Sequence, residues 1–532
     1  MSGPSVADPE EERPPARAPG HVPGLAHAGP QRRRRGTAVA VLVPCTVTLV
    51  LGLWGLDRAT LWRDEAVTAQ VAGRTLPQLW DLLGTSDAVH GLYYALMHGY
   101  GALVHSLFGL PLRDGPVLRL PSVLGAAAAA GLVALLGSRL AAPRVGLWAG
   151  LLLAALPSVS HYAQEGRSYA LVAAGAALAT LLLTTAVRSG RAQDWAGYAA
   201  ATATTAVLHE FAALILAAHA VTLLVSRVPR AVWWRWAAAC CAVAAALSPV
   251  VLVSRDQRAQ IDWLAAPGAR AAGHALSALA GPSPVLITVL FALTALAAVR
   301  PLPRRGGPLG AAAVAVPWAV VPPLLLFAAA QQLPVLTHRY LFFAVPGLAL
   351  AAAAGAESLV DRVTVRRGRR FPPRWVAAAG AACVAAAFLG QLPAQQRERR
   401  PESRADNLAA VAALVRREAR PGDGVFFLPR YERSVLFAHP ESFRGLTDLT
   451  LRAGPDRSGT LYGRNAPLRE IRARLLRADR VWLVVADGVD RTRWFRHSAW
   501  LRANWRLLHE VCVQRSWLDG DSGNVALFVR RR

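Results

Sequence analysis

The sequence predicts an all-α polytopic membrane protein of about 11 spans, followed by a small α/β domain. Three observations carry that expectation. Hydrophobic residues fill 54% of the 532 positions and charged residues only 17%, where ordinary soluble chains carry about 25% charge. Uncharged runs, most of them long enough to span, recur between residues 37 and 396. Beyond residue 397 charge becomes dense and no span fits. The net charge is +26, and all 59 basic residues are Arg. That bias, with abundant Ala, points to a GC-rich and so bacterial genome. Many of the Arg residues cluster between apolar runs, the layout that fixes membrane orientation, so nucleic acid is not the expected partner. The 5 Cys are odd in number and lack metal or disulfide spacing, which excludes a disulfide scaffold.

Residues 1–36, rich in Pro, Gly and charge, read as a disordered cytoplasmic tail ending in Arg32–Arg35. The run 37–56 is longer than the roughly 7–15 apolar residues of a signal peptide and reads as an uncleaved first span. Further spans are expected over 120–138, 145–164, 168–187, 195–208, 211–226, 236–254, 275–299, 306–337, 340–356 and 375–396. Outer loop one covers 57–119. Its segment 89–109 is apolar but holds His90, His98, His105, Tyr93, Tyr94 and Tyr100. If that segment spanned, the basic cluster at 139–144 would face outward and every later one would flip. As an interfacial helix it leaves all of them inside, and that is the preferred reading. The transmembrane domain is therefore 37–396, with the N-terminus cytoplasmic and the domain 397–532 extracytoplasmic, in a bacterial plasma membrane. Within the tail domain, 425–428, 481–486, 507–513 and 525–530 read as strands, and 405–419, 466–478 and 490–504 as helices.

Candidate chemistry gathers on the outer face. Asp64 and Glu65 follow the first span in L-W-R-D-E, where adjacent carboxylates can serve as base and orienting group, or be a solvated loop pair. Glu165 and Arg167 lie between two apolar runs, where ionisable groups are costly and usually paired or functional. His209 and Glu210 occupy a tight turn between two short spans. His338, Arg339 and Tyr340 form T-H-R-Y with Thr337, and Arg119 opens the second span. Each Arg could anchor to headgroups or hold an anionic ligand. Acids beside Arg at a membrane surface suit a lipid-phosphate substrate.

The D-E pair, D-A-V-H-G-L-Y-Y-A-L-M-H (87–98), R-L-P-S (119–122), Q-E-G-R-S-Y (164–169) and H-R-Y-L (338–341) together resemble the membrane glycosyltransferases of the GT-C superfamily. Within it they are most similar to family 39, the protein O-mannosyltransferase and lipid A aminoarabinose transferase relatives. The resemblance covers roughly 37–345 and leaves the tail domain out. It implies inverting transfer of a sugar, mannose favoured, from a polyprenyl-phosphate donor to a hydroxyl on a protein, glycolipid or wall polymer. Asp64 is then the base, and Glu65 positions that base or the sugar. Glu165 is the acid of the second loop, binding acceptor, sugar or, together with Asp64, a divalent cation such as Mg or Mn. Arg339, helped by Arg167 or Arg119, neutralises the leaving phosphate. His90, Tyr93, His209, His338 and Tyr340 complete the substrate-binding set. The rival expectations are a transporter or lipid flippase using the same groups for binding alone, and an assembly protein that works through its tail. The absence of an internal repeat argues against the transporter.

Overall fold

The computed structural model describes residues 30–257, 268–304, 307–333, 335–366, 372–404, 406–486, 498–519 and 523–531. Most of the expected N-terminal tail lies outside the described residues. Its last part does not: helix α1 already begins at Pro30 and runs to Leu53, carrying Arg32–Arg35 on its first turns.

The helical part continues with α2 (Arg63–Ala72), α3 (Leu76–Leu83), α4 (Gly91–Phe108), α5 (Gly115–Leu140), α6 (Pro143–Ala155) and α7 (Pro157–Ala163). There follow α8 (Tyr169–Ser189), α9 (Ala192–Leu208), α10 (Ile215–Val225), α11 (Arg230–Arg255), α12 (Ala269–Ala280), α13 (Pro284–Val299), α14 (Ala311–Ala329), α15 (Val345–Arg366) and α16 (Pro373–Gly390). Among the described residues seven helices are long and apolar enough to cross a bilayer, and nine if each of two bent pairs counts as one span. The chain is a multi-pass membrane protein. The remaining two apolar runs are the shorter α9 and α10. The tight turn expected between them is instead His209 followed by a 3-10 helix, Glu210–Leu214.

Both bent pairs break where the sequence forbids a continuous helix. Leu156 is extended ahead of Pro157, and α6 and α7 diverge by 69°. Between α12 and α13, Gly281 takes φ +98° and the Ser283 side chain caps the new helix ahead of Pro284, giving an 88° bend.

Helix α5 is the hub, packing on α1, α6 and α8. Small residues let the backbones meet: a Cβ at Gly146 would lie 2.1 Å from the Ala134 carbonyl oxygen. Helix α4 follows a short 3-10 turn, Ala88–His90, and buries Gly91, Tyr93, Tyr94 and Met97 while exposing Leu96, Leu103, Leu107 and Phe108. It is not among the helices apolar enough to cross a bilayer, and its two-sided character suits the interface.

After α17 (Leu392–Arg397) the C-terminal domain contains α18 (Leu408–Glu418), β1 (Gly424–Leu428), α19 (Ser434–Ala438), β2 (Thr447–Asp448), β3 (Leu451–Ala453), α20 (Pro455–Ser458), β4 (Arg464–Asn465) and α21 (Leu468–Leu475). It ends with β5 (Arg480–Ala486), α22 (Ala499–Val511), β6 (Cys512–Leu518) and β7 (Gly523–Arg530). The main sheet runs β2-β1-β5-β7-β6, with β1 parallel to β2 and β5, and β7 antiparallel to β5 and β6. Three of the four expected strands are present. The fourth, 507–513, is mostly the end of α22, since Leu501, Asn504, Leu508 and Val511 fall on one helical face and are buried. The expected helix 490–504 starts in residues outside the described set, and the described helix begins at Ala499, capped by the Ser498 side chain.

Candidate active site

The site is built around the end of α1. Its last carbonyls and those of the turn that follows need donors from elsewhere. Gln164 Nε2 donates to the oxygens of Gly52 and Trp54, and Arg399 reaches Leu51 and Trp54. Arg119, fully buried on α5, donates to Leu56, Ala59 and Thr60. Its remaining bonds go to Glu65: Nε to Oε1 at 2.8 Å and Nη2 to Oε2 at 2.7 Å. A guanidinium has five N–H donors, and all five are engaged. Arg119, expected to bind phosphate, has no donor left for it.

Glu65 is sealed to the same degree. Its Oε1 also accepts from the Gly166 backbone at 2.7 Å, and its side chain is 0% exposed. Gly166 is required there, because a Cβ would lie 2.7 Å from Leu118 Cγ. The sequence groups Glu65 with Asp64 as a working carboxylate, but the geometry separates them. Both sit in the first turn of α2, where successive side chains point about 100° apart. Glu65 therefore enters the bundle, while Asp64 faces Arg339.

Asp64 Oδ2 accepts from Arg339 Nη1 at 3.3 Å, and this pair stays partly open, with side chains 29% and 21% exposed. The Arg339 guanidinium lies 5.9 Å from the ring centres of both Trp62 and Tyr340. Arg167 is buried behind it, donating to Thr68 Oγ1 and to His90 Nε2, and feels the attraction of Asp64 and Asp87. Asp87, in the left-handed region at φ 62°, accepts from the Tyr94 hydroxyl. Burial raises the Asp87 pKa, against the pull of Arg167 and Tyr94. Burial, with Arg167 and Arg339 nearby, holds His90 well below the ordinary histidine range. His90 is thus neutral, and because its Nε2 accepts from Arg167, its proton sits on Nδ1.

Glu165 is paired with His161, Nε2 to Oε2 at 3.3 Å, and His161 Nδ1 meets Glu398 at 2.6 Å. Arg404 closes this side by donating to the Gln164 carbonyl at 2.7 Å. Asp64 contacts Arg339 directly, and Glu165 lies within electrostatic reach of the same cation. His209 is buried in an aromatic wall with Tyr169, Phe211 and Tyr340, its ring 4.8 Å from that of Tyr340. His338 is exposed at the rim. Tyr93 is buried within electrostatic reach of Arg167, Glu65 and Glu165. Trp62 Nε1, His90 Nδ1, Tyr93 Oη, His209 Nδ1 and Arg339 Nε are buried without a hydrogen-bond partner among the described residues. Such groups are rare in native interiors, where ordered water, an ion or a ligand ordinarily satisfies them.

Asp64 and Glu165, the acids expected to share any divalent cation, are each paired with a basic side chain. The described residues contain no group of three or more His, Cys, Asp or Glu arranged to hold a metal.

Sequence reasoning missed His161, although its i, i+4 spacing to Glu165 was a usable signal. It also missed the C-terminal partners Glu398, Arg404, Asp406, Glu432 and Tyr462. Among these, Asp406 and Glu432 contact Arg63, and Tyr462 lies within electrostatic reach of Asp64.

The helix order, with the polar cluster at the end of the first span, makes a fold that this chain shares with solved membrane proteins. The chain is similar to ArnT from Cupriavidus metallidurans in the apo state, with a TM-score of 0.58 and 14% identity over 92% of this chain and 97% of that one. The same ArnT bound to undecaprenyl phosphate gives 0.55 at 14% identity, with the same coverage. The archaeal oligosaccharyltransferase AglB from Archaeoglobus fulgidus, in complex with an inhibitory peptide and a dolichol-phosphate, gives 0.52 at 10% identity over 94% of this chain and 75% of that one. No family model and no curated protein matches the sequence.

Proposed function

We propose that the protein is a membrane glycosyltransferase that moves a sugar from a polyprenyl-phosphate donor to an acceptor hydroxyl, with inversion, on the extracytoplasmic face. Mannose is the favoured sugar and the family-39 branch the favoured kinship. The observation that carries this reading is the half-open Asp64–Arg339 pair, set among buried polar groups at the end of the first span. Two similar folds, ArnT and AglB, were solved with undecaprenyl phosphate and dolichol-phosphate respectively. A lipid-linked donor also suits a face away from the cytoplasm, where nucleotide sugars are absent.

In this mechanism Asp64 takes the proton of the acceptor hydroxyl as its oxygen bonds to the anomeric carbon. The bond from that carbon to the phosphate oxygen breaks on the opposite side, so the centre inverts. The leaving group departs as a phosphate anion and needs no general acid. Arg339 neutralises it, with Arg167 adding positive field from behind. His90 Nδ1–H and the Tyr93 hydroxyl are donors for the sugar, and the His209–Tyr340 wall offers a stacking surface. His338 at the rim meets the acceptor or the lipid headgroups. Glu165 and His161 order the second loop beside Arg339. The base contributes about 10²–10⁴ in rate.

The test is transfer from radiolabelled polyprenyl-phosphate sugars in membranes holding the wild-type chain or Asp64→Asn. Transfer by the wild type alone supports the reading. Equal transfer by the variant sinks the base, and movement of intact donor across the bilayer without a new glycosidic bond would establish a transporter instead.

A further inference from the structure

Helix α2 carries Asp64 yet has no cap of its own. The residue at its N-cap is Trp62, whose side chain accepts no hydrogen bond. A helix start needs acceptors for its first N–H groups. Here one arrives from far along the chain: Asp406 Oδ2 accepts from the Arg63 backbone N–H at 3.4 Å. The other oxygen of Asp406 pairs with Arg63 Nη2 at 3.2 Å, and Glu432 Oε1 meets the same nitrogen at 3.3 Å. The Tyr431 ring lies under the guanidinium, 4.4 Å from its centre. Beyond the far end of α2, Arg74 donates to the Thr460 carbonyl at 2.9 Å, and α19 packs along the helix between these grips. Thus a ten-residue helix bearing the half-open carboxylate is held at both ends by residues 406–460.

We propose that Asp406 and Glu432 are positioning residues for Asp64. Through the cap and the Arg63 clamp they fix where its carboxylate stands opposite Arg339, which makes the C-terminal domain part of the transfer machinery and not only an appended module. The proposal rests on the reading of Asp64 as the base. Misplacing a reacting group by about 1 Å costs on the order of 10²-fold, so a loosened α2 lowers turnover while leaving donor binding at Arg339 in place.

The experiment uses the full-length protein in membranes or detergent, normalised to folded protein, with three variants: Asp406→Ala, Asp406→Asn and Glu432→Gln. Asn keeps an oxygen for the cap, since it ranks beside Asp as an N-cap residue. For Asp406→Ala the expected result is a kcat lowered about 10- to 100-fold with donor KM changed less than twofold, and faster hydrogen exchange at residues 63–66 but not in α5. Asp406→Asn should recover part of the kcat, and Glu432→Gln should lose less than Asp406→Ala. An unchanged kcat in Asp406→Ala overturns the proposal, as does a defect confined to KM. If Asp406→Ala does not fold, Asp406→Asn and Glu432→Gln decide by the same kcat and exchange criteria. A wild-type chain inactive toward every polyprenyl-phosphate sugar removes the base reading itself; an active wild type with indifferent variants removes only this inference.

Discussion

Two ion pairs begin at adjacent residues of one helix and end as opposites. Glu65–Arg119 is closed: every oxygen and every N–H is used, both side chains are fully buried, and the pair is welded to the end of α1 and to Gly166. Asp64–Arg339 is open: a single 3.3 Å contact, partial exposure on both sides, and an unpartnered buried Arg339 Nε beside it. Saturated hydrogen bonding is what a structural anchor needs, while spare capacity is what a reacting group needs. Residue type and position in sequence would not have sorted them; the count of unused bonds does.

Four outcomes break or sharpen that contrast. The largest is expected from Asp64→Asn, which should lower transfer about 10²–10⁴-fold while the amount of inserted, folded protein stays near wild type, measured by labelled-sugar transfer and quantitative blotting. Glu65→Ala or Arg119→Ala should act the other way round, costing about 3–5 kcal/mol of stability by stranding a buried charge. Thermal unfolding and membrane yield report it, and normal stability with lost turnover would erase the distinction drawn here. Arg339→Ala should raise donor KM about 10- to 100-fold, the value of a hydrogen bond to a charged group; an unchanged KM removes Arg339 from the phosphate.

The smallest effect concerns pH. Burial pushes the Glu432 carboxyl up to about 7, with Arg63 pulling it down and Asp406 pushing it up. Unfolded glutamate titrates near 4.5, so the folded chain holds this proton more tightly. That stabilises the fold fully below pH 4.5, and the gain is lost as pH rises to about 7. Glu432→Gln should flatten stability across that window, checked by thermal unfolding between pH 4 and about 8; a slope identical to wild type would contradict it.

Much of the fold was legible because hydropathy is a local property. Every apolar run expected to span between 37 and 396 carries a helix, and α4 is not among the helices apolar enough to cross. The segment 507–513 was misread because a short apolar run has no period of its own until Leu501 and Asn504 are placed with it. The site was legible as a neighbourhood but not as a set of roles. Asp64 and Glu65 look alike until the helix turns them apart, and Arg119 looks like a phosphate ligand until its five bonds are found. Asp406 lies 343 residues from the helix it caps, a distance over which composition and spacing say nothing.

The carbonyls at the end of α1 have a consequence for how the chain is made. Their donors come late: Arg119 is 63 residues beyond Leu56, Gln164 112 beyond Gly52, and Arg399 348 beyond Leu51. At ribosomal speeds of roughly 5–20 residues per second, the last donor emerges about 20–70 s after the first span. Until then water must hydrate those oxygens, because bare carbonyls in hydrocarbon cost several kcal/mol each. The unfinished end of the newborn helix therefore favours the water line until those donors arrive.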